Sequence, residues 1–217
     1  EKARVDIGGK GINVSKTLVN FFVSNIATGF MSENQVDALD KAGIHGRFYV
    51  VDEALRVNTK INDLDTGTVT ELNEKGFCIK SEDLTEFIKL YEELCPNAGI
   101  VVLSGSIPRG VPDDIYATLI RIAKKKGAKT MLDSHGKPFI HGLKEKPYAI
   151  KPNVHELEFV VDKKLKDVND IIDAVEEIKD CAVLIAVSMG KDGAMFFKEG
   201  KLVLAETFPV QSISTIG

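Results

Sequence analysis

Ile100-Val101-Val102-Leu103-Ser104-Gly105-Ser106-Ile107-Pro108 is a short apolar run that breaks into a Ser, Gly and Pro turn, and Lys129-Thr130-Met131-Leu132 resumes the pattern one helix-length later. Mostly apolar runs of this length fit strands covered on both faces. Between them Pro112-Asp113 opens a helical pattern with Ile115, Leu119 and Ile122 inward, and Gly127 after Lys124-Lys125-Lys126 is a stop. The alternation extends both ways. Upstream, Ser81 opens a helix with Leu84, Phe87, Ile88, Tyr91 and Leu94 on one face. Downstream, a helix from about Asn169 turns Ile171, Ile172, Val175 and Ile178 inward and leads into a third apolar run, residues 183–187. This order predicts a doubly wound, mostly parallel α/β sheet with helices on both faces, in which the runs at 100–103, 129–132 and 183–187 are central parallel strands.

Residues 47–72 follow a different rule. Segments 48–51, 57–61 and 68–72 are strand-like, Asp65-Thr66-Gly67 is a turn, and no helical pattern separates them. They are expected to form a small antiparallel insert within about residues 47–73, with Arg56, Asn58 and Lys60 on one face and Val57, Thr59 and Ile61 on the other. The polar face could close over a ligand as a lid or be an ordinary solvated face.

With 217 residues, 44% of them hydrophobic and 28% charged, the chain fits one α/β domain and is too short for two well-buried ones; disordered, collagen-like and coiled-coil classes are excluded. The net charge of −4 supplies no global basic field for nucleic acid or an anionic membrane, so an anionic ligand must be held locally. Cys78, Cys95 and Cys181 are odd in number and scattered, which argues against a disulfide framework or structural zinc and fits a reducing cytoplasm. No apolar run approaches spanning length, and with no basic field either, neither a membrane nor a nucleic acid is an expected partner. The chain opens without Met and breaks off in mid-pattern at Ser214-Thr215-Ile216-Gly217, so further residues are expected at both ends.

Four glycine- or lysine-bearing turns are candidates for chemistry. Gly8-Gly9-Lys10-Gly11-Ile12-Asn13 precedes a helical pattern with Val14, Leu18 and Phe21 or Phe22 inward. Adjacent glycines admit a ligand close to the backbone, and the helix N-terminus offers unpaired N–H groups to hydroxyl or phosphate oxygens. The spacing is neither a Walker A loop nor GxGxxG, and a plain glycine-rich helix entry is the alternative. The turn 104–108 lies at the carboxyl end of a strand, where open α/β sheets bind ligands, although an ordinary strand-to-helix turn uses the same residues. In Lys151-Pro152-Asn153-Val154-His155-Glu156, Asn153 and Glu156 have capping-box spacing, while Lys151 beside a carboxylate suits a triphosphate with a water-clad Mg²⁺. His155 points away in the helical register. Ser188-Met189-Gly190-Lys191-Asp192-Gly193 is either a hairpin turn into 194–197 or a loop giving backbone access to a nucleotide.

Taken in order, these turns together with Arg56-Val57-Asn58 and the terminal Ser214-Thr215-Ile216-Gly217 resemble the PfkB (ribokinase-like) carbohydrate kinase family over essentially the whole chain. The resemblance implies ATP-dependent phosphorylation of fructose 1-phosphate at its 6-hydroxyl, giving fructose 1,6-bisphosphate. Tagatose 6-phosphate is the alternative acceptor, and a non-catalytic sugar-phosphate-binding module of the same fold is the alternative class. Carried onto this sequence, Gly8, Gly9, Lys10, Asn13 and Ser106 would hold the sugar, and Arg56 with Asn58 would hold the sugar and its phosphate. Lys151, Asn153, Ser188, Gly190, Gly193 and Thr215 would serve the nucleotide, and Glu156 would hold Mg²⁺ through water. Gly217 would begin the anion hole, with the family's Asp base expected just past it and a substrate-binding Asp before Glu1. Phe22 stands where the family usually has Gly, and the stretch from Phe30 to Asp37 is several residues short of the family's loop. A homodimer clasped through exposed lid edges is implied as well. All of this requires Lys10 and Lys151 to lie together.

Overall fold

The computed structural model describes residues 7–52, 57–63, 66 and 68–207. In chain order its elements are α1 (Lys10–Asn20), β1 (Phe30–Met31), α2 (Glu33–Lys41), β2 (Tyr49–Val50), β3 (Asn58–Asn62), β4 (Val69–Asn73), α3 (Ser81–Leu94), β5 (Ile100–Ser104), α4 (Ile115–Lys125), β6 (Lys129–Asp133), α5 (Gly136–Lys144), β7 (Ala149–Ile150), α6 (Val154–Val161), α7 (Val168–Glu177), β8 (Leu184–Ser188), β9 (Ala194–Lys198) and β10 (Lys201–Ala205). They group into two compact units, one holding Ile7, Ser15–Leu90 and Ile107–Val111, the other Gly8–Val14, Tyr91–Ser106 and the chain from Pro112 onward.

The second unit is built on a six-stranded sheet in the order β10-β9-β8-β7-β6-β5. Strands β5 to β8 are parallel because a helix returns the chain between each pair, whereas β9 and β10 follow short turns and run antiparallel. Leu132, Ile150, Ile185, Val187 and Met195 have no exposed surface, as the apolar runs require. Helix α4 buries Ile115, Tyr116, Leu119, Ile120 and Ala123, and each large apolar side chain so buried contributes roughly 1.5–3 kcal/mol. Its end is the expected one: Gly127, at φ 86°, donates from its amide to the Lys124 carbonyl (3.0 Å) and Ala128 to that of Ala123 (3.0 Å).

Two expectations for this unit are corrected. Ile122 is only half-buried and Ile120 takes its place at the centre of the helix face. Strand β5 is the outermost of the described sheet and leaves Ile100 59% exposed, so the run at 100–103 is not a central strand there.

In the first unit β1 and β2 pair in parallel, Phe30 with Tyr49 and Met31 with Val50. This removes 48–51 from the expected antiparallel insert: α2 intervenes between the two strands, and a helical crossover returns the chain in the same direction. Phe30 packs edge-on to Tyr49 (5.9 Å between ring centres) and against Phe87 (4.7 Å), and the Tyr49 hydroxyl donates to Asp83 (2.8 Å). Strands β3 and β4 do form the antiparallel ribbon, in register from Asn58 opposite Asn73 to Asn62 opposite Val69. Lys60 lies opposite Glu71 and pairs with it at 3.0 Å. Phe21 or Phe22 is expected inward from α1, and both are instead exposed, at 73% and 98%. The helix stops at Asn20, before its apolar stripe can reach them.

Candidate active site

The carboxyl ends of β5, β6, β7 and β8 deliver four turns to one end of the larger sheet, and the glycine turn before α1 joins them. The joint is Gly105. At φ 102° its amide donates to the Asp133 carbonyl (3.0 Å), while its own carbonyl accepts from the Tyr116 hydroxyl (2.9 Å) and Ser134 Oγ (3.0 Å). A side chain there would start 3.8 Å from Lys10 Cβ and demand a backbone conformation that L-residues avoid, so this turn needs glycine. Burial pushes the Tyr116 phenol up to about 12, so it remains a donor at any working pH.

Asp133, the last residue of β6, organises the charges. Lys10 Nζ lies 3.0 Å from its Oδ1 and Lys151 Nζ 3.5 Å from its Oδ2, so the two lysines share one carboxylate. Lys10 also reaches Glu156 Oε1 at 3.6 Å. The acidic side chains are 10% and 12% exposed, the lysines 42% and 39%, which leaves the ammonium groups facing water above sunken carboxylates. Partial burial alone would lower the Lys10 pKa, but the hydrogen bond and charge of Asp133, with the charge of Glu156, hold it above its ordinary 10.5.

Glu156 has a second task. Its Oε2 accepts from the Asn153 amide (2.9 Å) while the Asn153 side-chain oxygen accepts from the Glu156 amide (2.8 Å), a complete capping box at the start of α6. The capping and ligand-facing readings of this segment are therefore both available to Glu156, one through each oxygen. Ser188 lies beside it, its amide donating to the Pro152 carbonyl (3.0 Å). His155 is 89% exposed and turned to Glu158, as the helical register indicated.

The structure thus gathers Lys10, Lys151, Asn153, Glu156 and Ser188 with the Gly8-Gly9 and Gly105-Ser106 turns. Asn13 is in the first turn of α1, its amide bonded to the Gly9 carbonyl at 2.9 Å. Gly190 opens and Gly193 follows a single helical turn between β8 and β9, which pair antiparallel, so the hairpin reading of that segment is realised. Gly193 has a structural need of its own: a Cβ would fall 2.0 Å from the Ala205 carbonyl oxygen. Asn58 belongs to β3 of the other unit, while Arg56, Thr215 and Gly217 lie outside the described residues. Asp133 escaped the sequence reading, which ended that strand at Leu132. The available signal was a carboxylate closing an apolar parallel strand, where such sheets place ligand-binding groups.

A model of the pfkB family carbohydrate kinases matches residues 1–217. The chain belongs to that family. It is therefore a carbohydrate kinase, an enzyme acting on a sugar hydroxyl, and ATP is the donor that membership implies. Among curated PfkB relatives, 1-phosphofructokinase of Haemophilus influenzae is 33% identical over 96% of this chain and 68% of its own length. That of Bacillus subtilis is 31% identical over 97% and 70%. Among solved structures, phosphofructokinase-2 from Escherichia coli in complex with potassium superposes with a TM-score of 0.88 at 26% identity, covering all of this chain and 72% of the other. The mostly parallel sheet flanked by helices is thus the ribokinase-like fold that the ordered motifs implied.

Among the described residues no three His, Cys, Asp or Glu side chains gather as a metal-binding group. The donor set nevertheless suits Mg²⁺, which binds proteins through one or two carboxylates and completes its shell with water and phosphate: Asp133 and Glu156 aim hard oxygens at one shared cation, the Lys10 ammonium.

Proposed function

We propose that this PfkB kinase phosphorylates fructose 1-phosphate at its 6-hydroxyl, with ATP as donor and fructose 1,6-bisphosphate as product. The convergence of Lys10 and Lys151 on Asp133 carries the chemical half of this reading. Phosphoryl transfer is mainly positioning and charge neutralisation, and two half-exposed ammonium groups beside a shared carboxylate supply cations that can turn to phosphate oxygens. The identity of the sugar rests on the curated relatives that bear the name 1-phosphofructokinase.

In this reading Gly8, Gly9, Lys10, Asn13 and Ser106 meet the sugar, and Arg56 with Asn58 holds the sugar and its phosphate. Lys151, Asn153, Ser188, Gly190, Gly193 and Thr215 serve the nucleotide, and Gly217 contributes an anion-hole amide. Asp133 and Glu156 would hold Mg²⁺, which when bound neutralises charge on the phosphates. The chain acts as a single PfkB-type kinase domain in the cytoplasm and pairs through its lids as a homodimer. The exposed apolar face of the ribbon (Val57 60%, Ile61 51%, Leu72 56%) supports that pairing. No helix among the described residues is long and apolar enough to cross a membrane.

Coupled ADP release by the full-length protein, with fructose 1-phosphate and tagatose 6-phosphate side by side, tests the assignment. Fructose 1-phosphate should give the higher kcat/KM. Faster turnover of tagatose 6-phosphate would transfer the assignment to that sugar.

A further inference from the structure

The ammonium of Lys10 occupies an unusual place for a substrate-binding lysine. It lies 3.0 Å from Asp133 Oδ1 and 3.6 Å from Glu156 Oε1, between carboxylates contributed by the end of β6 and the start of α6. Lys151 holds the other Asp133 oxygen at 3.5 Å. Two positive and two negative groups therefore balance, and the carboxylates are nearly covered, at 10% and 12% exposure. A polyphosphate that drew Lys10 away would leave Asp133 and Glu156 facing each other with less compensation in a poorly hydrated site, which is costly unless another cation replaces it.

We infer that Lys10 is a tethered stand-in for the divalent cation: in the nucleotide-free protein its ammonium fills the place between Asp133 and Glu156, and it yields that place when a metal–polyphosphate enters. Metal alone must then compete with Lys10, and polyphosphate alone must strip Lys10 from two carboxylates. Each ligand removes the other's obstacle, so the two bind with positive coupling. The exchange suits a lysine that follows two glycines at a helix entry: among the described residues a Cβ at Gly8, or at Gly9 with its φ of 119°, would meet no heavy atom within 4 Å. The inference rests on the phosphoryl-transfer reading only in assigning a divalent cation to this cluster, and does not depend on which sugar is the acceptor.

The test is titration of the nucleotide-free full-length protein with Mn²⁺ alone, following free Mn²⁺ by electron paramagnetic resonance. Lys10→Met should bind Mn²⁺ at least tenfold more tightly than the parent, and Lys10→Gln should behave alike. Lys10→Arg, which retains the charge, should stay near the parent. Adding Glu156→Gln, which keeps a capping-box residue at its position, or Asp133→Asn to Lys10→Met should abolish the gain. If neither Lys10→Met nor Lys10→Gln tightens Mn²⁺ binding, or if the gain survives loss of both carboxylates, the inference is wrong. These outcomes are separable from the sugar assignment: failure with fructose 1-phosphate leaves the Mn²⁺ comparison intact, and an unchanged Mn²⁺ affinity leaves the kinase reading standing.

Discussion

Phe22 holds a left-handed backbone at φ 57° and is 98% exposed. Its amide donates to the Val19 carbonyl and that of Val23 to the Leu18 carbonyl, both at 2.9 Å, which is the hydrogen-bond pattern of a glycine-terminated helix end. The family's usual glycine is thus accounted for by local geometry, and the Phe side chain gains no burial in exchange for its strain. Phe22→Gly should raise stability by about 1 kcal/mol, because a left-handed L-residue costs roughly 1–2 kcal/mol and the extra freedom of glycine in the unfolded chain offsets part of the gain. The urea midpoint measures it. Thr130 is a second local misfit: it is 1% exposed on β6, and its hydroxyl has no hydrogen-bond partner among the described residues. Thr130→Val should stabilise by about 1 kcal/mol, since it removes a buried hydroxyl whose desolvation is uncompensated. A lower midpoint for this variant would mean that the hydroxyl is satisfied in solution.

Elements here are held at their ends as much as along their faces. Helix α6 begins in the Asn153–Glu156 capping box and ends at Asp162, in left-handed conformation at φ 51°. Past that end Glu158 ties the loop down, accepting from Lys164 Nζ at 2.9 Å and the Leu165 amide at 3.0 Å, with His155 Nδ1 at 3.4 Å. The Lys164 hydrogen bond, followed by the Leu165 amide, lowers the carboxyl from 4.5 to about 2. A carboxylate whose folded pKa lies below its unfolded value stabilises above the unfolded value and loses that contribution as the pH falls toward the folded one. The melting temperature of the parent should therefore exceed that of Glu158→Gln at neutral pH, and the two should converge between pH 4.5 and about 2. Scanning calorimetry across that range checks it, and a constant difference would refute it. Elements were legible in the sequence where periodicity and caps agreed, as in α4 with its Gly127 stop and α7 with Ile171 and Val175 buried. They were not where a strand's partner was in question: residues 48–51 looked like part of a hairpin series, yet their partner is Phe30–Met31 across α2.

The molecule as a whole depends on distant segments meeting. Lys10 and Asp133 are 123 residues apart and make a direct hydrogen bond. The ribbon of β3 and β4 leaves Ile61 51% and Leu72 56% exposed, and in the proposed homodimer that face is covered by its counterpart. Ile61→Lys should then shift sedimentation at micromolar concentration from dimer to monomer, whereas a parent already monomeric would remove the lid from consideration as an interface. Glycine turns following apolar runs, in a particular order, were enough to mark the fold class and the family, because turn chemistry and period are local properties of the chain. The pairing of charges was not local. That Asp133 should take a lysine on each oxygen, that Glu156 should divide its carboxylate between a helix cap and Lys10, and that β5 should be the last strand of the described sheet all follow from which elements become neighbours. Neighbours are chosen by burial of whole faces, a property that no single segment carries.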